Sequence, residues 1–230
     1  MKKKILAFTV LATIACVAIS FKHQNAAPKL YPELEAFFKS VPAKEFQKDQ
    51  AGVLENMREN LNTSNMDYGN WNCVFYCTEN SFRSQASQIF RETLCFSKRH
   101  KQVKSYSAGI HPGEINTKLI AYLSKIGYKI STSEKDGRKG YEVRYSDDAN
   151  PVFLFAKSID DKSLPKSNVA SIIVCNHISE PLCSSLDRQH LPFELPFPNA
   201  TINDSDEKIA SIVKEIAVAM QYITEKKSVK

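Results

Sequence analysis

Cys77 is followed by five residues and then by Arg83 and Ser84, within the stretch NCVFYCTENSFRSQASQIF at 72–90. An apolar run, Val74 to Tyr76, leads into the cysteine, and an amphipathic pattern begins at Ser84. A strand, a short loop and a helix N-terminus in that order aim backbone N–H groups and the helix dipole at one point, which suits an anion. A cysteine at that point is expected as the thiolate, because the dipole and the arginine both favour its charged form. Arg83 adds a planar fork that can hold two oxygens of a phosphate-like group. Thr78, Glu79, Asn80, Ser81 and Phe82 would form the cradle between them. The arrangement suits a nucleophile attacking a tetrahedral oxyanion. The bland alternative is a small buried thiol with a surface arginine nearby.

The elements that must position these residues follow from periodicity. Residues 30–40 and 44–61 read as two helices separated by Val41-Pro42, with Leu34, Phe37 and Phe38 on an apolar face. Helices are also expected over 84–97 (Ile89, Phe90 and Leu94 inward), 116–126 (closing on Gly127) and 206–226. Strands are expected over 74–76, 103–106, 152–155 and 170–174, the last an all-apolar run of the kind buried in a parallel sheet. Residues 132–150 are polar and charged and read as an excursion over the surface. Alternating strands and helices predict an α/β fold: a doubly wound, mainly parallel four-stranded sheet flanked by helices, with an N-terminal helical extension. Its sites lie at the carboxyl ends of the strands, which puts Cys77 and Cys175 on one rim.

The chain has 230 residues, 43% hydrophobic and 24% charged, an ordinary globular composition. Three segments are expected: a signal peptide or anchor over 1–20, a helical extension over 28–66 packed on the core, and a catalytic domain over 70–228. Lys2, Lys3 and Lys4 precede an apolar stretch from Ile5 to Ile19, and Ala18 and Ser20 fit a cut after Ser20. An uncleaved anchor and a lipoprotein at Cys16 are the alternatives. Export, to a periplasm, is the expectation, with membrane contact only through this segment. Loss of the three lysines lowers the formal charge from +6 to +3, too little to argue for nucleic acid. Five cysteines would remain, and an odd number in an exported chain implies at least one free thiol. No CxxC pair or His-rich tract suggests a metal, and His177 reads as a loop residue.

The segment CTENSFRSQ resembles the phosphate loop of the low-molecular-weight protein tyrosine phosphatases, whose superfamily also holds the thioredoxin-coupled arsenate reductases. Tyr106-Ser107-Ala108-Gly109 resembles the superfamily's Y-S-A-G segment, and NTKLIAYLSKIGYKIS (116–131) its second helix. YSDDANPVFLFAKSIDDKSLPKSNVASIIVCNH is similar to a longer bacterial branch, and the likeness spans roughly 28–225. The resemblance implies that Cys77 attacks phosphorus, that the loop amides and Arg83 hold the equatorial oxygens, and that Ser84 hydrogen-bonds the sulfur. Asn80 matches an asparagine that supports the loop backbone. Substrates would be phosphotyrosine-like aryl phosphates, with a phosphocysteine intermediate and no cofactor.

Two residues depart from that pattern. The family's general acid is an aspartate in an Asp-Pro pair, and the matching pair here is Phe197-Pro198; Glu194, Asp204 and Asp206 are only nearby in sequence. Glu79 places a carboxylate inside the loop, where it opposes a bound anion unless it points to solvent. Phe82 stands where many members carry cysteine or arginine. Cys175 and Cys183 support a second reading, an arsenate reductase whose relay runs Cys77, Cys175, Cys183 with a thiol reductant as partner; a structural disulfide is the alternative. A third reading, from another class, is a degenerate member that binds the oxyanion without turnover.

Overall fold

The computed structural model describes residues 28–41, 50–62, 71–100, 104–176, 178–185 and 192–225. The signal or anchor expected over 1–20 and His177 lie outside the described residues. Helices α1 (Pro32–Ser40) and α2 (Ala51–Asn62) come first. A strand–helix–strand unit follows: β1 (Asn72–Cys77), α3 (Arg83–Ser97) and β2 (Ser105–Gly109). Next are α4 (Thr117–Lys125), β3 (Lys129–Lys135), β4 (Arg138–Arg144) and β5 (Val152–Leu154). The chain ends with β6 (Val169–Ile173), β7 (Pro192–Glu194) and α5 (Asp206–Thr224).

Four strands form one parallel sheet in the order β2-β1-β6-β7. The chain steps from β1 to β2 in one direction and later resumes on the other side of β1 with β6. The carboxyl ends of β1 and β6 therefore flank the point where the winding reverses, the usual crevice of such sheets. All five residues of β6 are buried, as its unbroken apolar run predicts. Helix α3 is covered on nearly every side, so its polar residues need partners inside the protein. Ser107 Oγ donates to Gln88 Oε1 at 2.6 Å, and Thr93 Oγ1 lies 2.9 Å from Tyr128 Oη.

The N-terminal helices lie against this layer. Leu34, Phe37 and Phe38 of α1 are buried, and the Phe37 ring stacks on Phe90 of α3 at 6.0 Å. Leu54 and Met57 of α2 are fully buried, and Tyr222 Oη of α5 donates to Glu55 of α2. Helix α4 starts where Asn116 Oδ1 accepts from the amides of Lys118 and Leu119, and it ends at Gly127, φ 110°. A Cβ at Gly127 would fall 2.8 Å from the Leu34 nitrogen, so the left-handed turn also lets α1 approach.

One expectation is corrected. Residues 132–150 are not an irregular excursion: β3 and β4 pair antiparallel, and β5 joins β4 in a second, three-stranded sheet. The hairpin turns at Asp136-Gly137, both with positive φ (52° and 71°), a strong two-residue hairpin signal. Strand β3 has no buried residue and β4 buries only Val143, so the sheet's polarity hides it from a search for apolar runs. The strand expected over 152–155 exists as Val152–Leu154 but belongs to this small sheet, and the fourth parallel strand is the short β7.

Candidate active site

Cys77 is the last residue of β1 and Arg83 the first of α3, so residues 78–82 form a tight five-residue loop at the sheet's carboxyl rim. Every carbonyl of that loop is engaged from outside. Thr78 O accepts from His111 N and Glu79 O from Gly113 N, each at 2.9 Å; Ser81 O accepts from Asn116 N at 3.0 Å and Phe82 O from Ala86 N at 2.9 Å. Asn80 O accepts from Gln85 Nε2 at 3.0 Å. In a trans peptide the next N–H points opposite to its carbonyl, so the amides of 79–83 are turned away from these donors. Asn80 takes the left-handed conformation, φ 53°, which gives the loop its curvature. Gly109 presses against its back, where a Cβ would stand 2.6 Å from Asn80 N.

Cys77 is 2% exposed, and its sulfur lies 3.0 Å from Ser84 Oγ and accepts from Asn80 N at 3.2 Å. Asn80 is fully buried and ties three segments together. Its Nδ2 donates to Ser84 Oγ at 2.8 Å, while its Oδ1 accepts from the Lys157 amide at 2.9 Å and from Gln85 Nε2 at 3.1 Å. Asn80 thus joins the loop to α3 and to the segment after β5, and Ser84 lies beside the Cys77 sulfur.

Arg83 is 3% exposed, and Glu180 takes both ends of its fork: Nη1 to Oε1 at 2.5 Å and Nη2 to Oε2 at 2.6 Å. Nη1 also donates to the Phe197 carbonyl at 3.3 Å, and Nε has no acceptor among the described residues. Thr78 Oγ1 donates to Glu180 Oε2 at 2.8 Å. The Arg83 hydrogen bonds hold the Glu180 carboxyl below the usual carboxylate range. A cavity of about 60 Å³ lies among Cys77, Thr78, Ser81, Arg83, Glu180 and Asn199.

Glu79 is exposed and its Oε2 accepts from Ser81 Oγ at 3.2 Å, while the residue also borders the cavity beside Cys77. Phe82 is buried. Phe197 is buried as well, and it offers Arg83 a backbone carbonyl where an acid was sought. Asp204 is engaged by Thr201 and Lys208, and Asp206 pairs with Lys118. Glu194 ends β7. Cys175 and Cys183 form a disulfide, whereas Cys73, Cys77 and Cys95 are free. Glu180 is the residue that sequence reasoning missed. Its signal is a carboxylate inside a short Cys-to-Cys span that starts directly after β6.

No protein-family model matches this chain, and no curated protein does. Among solved structures it is similar to an arsenate reductase from Archaeoglobus fulgidus, 15% identical over 66% of this chain and 98% of that one, with a TM-score of 0.46. It is also similar to a thioredoxin-dependent arsenate reductase from Corynebacterium glutamicum, 20% identical over 82% of this chain and 81% of that one (TM-score 0.41). A low-molecular-weight phosphotyrosine phosphatase from Vibrio cholerae O395 is 16% identical over 65% of this chain and 93% of its own (TM-score 0.45).

Proposed function

We propose that the protein is a cysteine-dependent phosphomonoesterase acting on phosphotyrosine-like aryl phosphates. One observation carries this reading: Cys77 Sγ receives the Asn80 amide and lies against Ser84 Oγ, in a loop whose carbonyls are all turned outward and whose far end is Arg83. In the proposed reaction the Cys77 thiolate forms an S–P bond as the aryl O–P bond breaks, and the loop amides and Arg83 hold the equatorial oxygens. The aryl oxide leaves and takes a proton from solvent. Water then attacks phosphorus, breaking the S–P bond and releasing phosphate. General acid help is typically worth about 10²–10⁴ in rate, so aryl phosphates, whose leaving groups need it least, suit a site with Phe197 in the acid position.

A second reading is an arsenate reductase in which Cys77, Cys175 and Cys183 supply two electrons to arsenate and a thiol reductant then restores the thiols. The Cys175–Cys183 disulfide favours it, because these would be the relay's final pair. The same disulfide and the basic-then-apolar N-terminus support work outside the cytosol. Hydrolysis of p-nitrophenyl phosphate that disappears in Cys77→Ser and persists in Cys175→Ser supports the phosphatase. Arsenate-dependent formation of the Cys175–Cys183 disulfide, with no aryl-phosphate turnover, supports the reductase. Phosphate binding with neither activity leaves an oxyanion-binding protein.

A further inference from the structure

We infer that Glu180 is a built-in competing anion, seated in the Arg83 fork by the Cys175–Cys183 disulfide, and that an external oxyanion must displace it. The inference rests on the oxyanion-site reading of the Cys77 loop but not on turnover. The Glu180 carboxylate meets Arg83 through two parallel N–H···O bonds, the geometry in which a guanidinium also takes two oxygens of a phosphate. Nη1 is shared with the Phe197 carbonyl, which leaves Nε as the guanidinium nitrogen with no acceptor among the described residues. A phosphate dianion brought to the same guanidinium would stand a few ångströms from the Glu180 carboxylate and be repelled by it.

The carboxylate is held from both sides. Thr78, a residue of the loop itself, donates to Oε2, and the Asn176 amide approaches Oε1 at 3.5 Å. The backbone is fixed by Glu180 N donating to Asn176 O at 2.8 Å and Cys183 N donating to Glu180 O at 2.9 Å. The disulfide then closes a ring in which Glu180 lies five residues after one cysteine and three before the other. Glu180 also borders a cavity of about 560 Å³, lined besides by Gln50, Asn176, Ser179, Phe197 and Glu215, which is space for the side chain once displaced.

Reduction removes the covalent tie. A dithiol thiolate attacks one sulfur, the S–S bond breaks, and two electrons and two protons convert the pair to thiols as the dithiol becomes a cyclic disulfide. The ring opens, and Glu180 keeps only its hydrogen bonds.

Titration calorimetry of the full chain with inorganic phosphate tests this, using oxidised wild type, dithiothreitol-reduced wild type, Glu180→Gln, and the Cys175→Ala/Cys183→Ala pair. Glu180→Gln is expected to bind phosphate at least tenfold more tightly than oxidised wild type, whatever the redox state. Reduced wild type and the double alanine variant are expected to gain at least threefold. Equal or weaker binding by Glu180→Gln overturns the competing-anion role, and equal affinity of oxidised and reduced wild type overturns the tether. Hydrolysis of p-nitrophenyl phosphate by the same proteins separates the two claims. Tighter phosphate binding without hydrolysis by any of them upholds the competing anion and overturns the phosphatase. Equal or weaker phosphate binding by Glu180→Gln, with hydrolysis that depends on Cys77, overturns the competing anion and leaves the phosphatase standing.

Discussion

Replacing Asn80 with alanine removes the side chain that joins the loop to α3 and to the segment after β5. The Lys157 amide loses its acceptor outright, while Ser84 keeps Cys77 and Gln85 keeps the Asn80 and Phe155 carbonyls. One orphaned buried donor costs about 1–3 kcal/mol. Alanine must also take Asn80's left-handed conformation, a further cost of about 1–2 kcal/mol. The loss of about 2–5 kcal/mol is within a typical stability of roughly 5–15 kcal/mol, so the variant still folds. At about 2–4 °C per kcal/mol for a chain of this size, its Tm falls by about 4–20 °C. Asn80→Gly deletes the same hydrogen bonds without the steric strain. It is expected to be about 1 kcal/mol more stable than Asn80→Ala, although glycine loses more entropy on folding. Urea unfolding measures both differences. A glycine variant less stable than the alanine one refutes the backbone argument, and losses under about 0.5 kcal/mol in both refute the network.

Three other predictions follow from the same geometry. Gly109→Ala drives a Cβ into the loop backbone, so it should cost about 1–3 kcal/mol and sharply weaken phosphate binding; a folded variant with wild-type affinity contradicts this. Burial pushes the Cys73 thiol up to about 11 and the Cys95 thiol up as well, so iodoacetamide near neutral pH should label Cys77 in the native protein well before either; peptide mapping that finds Cys73 labelled first contradicts it. Burial lowers the Lys157 ammonium to about 8, against about 10.4 when unfolded, so the folded state binds fewer protons between those values. The penalty is complete below about pH 8 and fades as pH rises toward 10, a gain of about 3 kcal/mol that Lys157→Met should abolish in paired denaturation curves.

The Cys77–Arg83 loop and most of the parallel sheet were legible because each rests on local pattern: an apolar strand, a turn-rich five-residue loop, a helix that begins directly after it. Asn80 and Ser84 lie where a loop of that length must put them. Three features escaped. The antiparallel sheet was hidden because only Val143 of β3 and β4 is buried, and the Asp136-Gly137 turn that marks it was passed over. The strand β7 has three residues, too few for a period to show. Glu180 reaches Arg83 across a separation of 97 residues, a contact fixed by the disulfide ring and the rim and not by any local signal.

Whether Cys77 carries the phosphoryl group is settled most directly by rapid acid quench of the protein turning over p-nitrophenyl phosphate, followed by peptide mass spectrometry. The account predicts one added phosphoryl group on the peptide containing Cys77, absent in Cys77→Ser, together with loss of p-nitrophenol release in that variant. Release of p-nitrophenol that persists in Cys77→Ser, with no phosphoryl group on the wild-type Cys77 peptide, contradicts it.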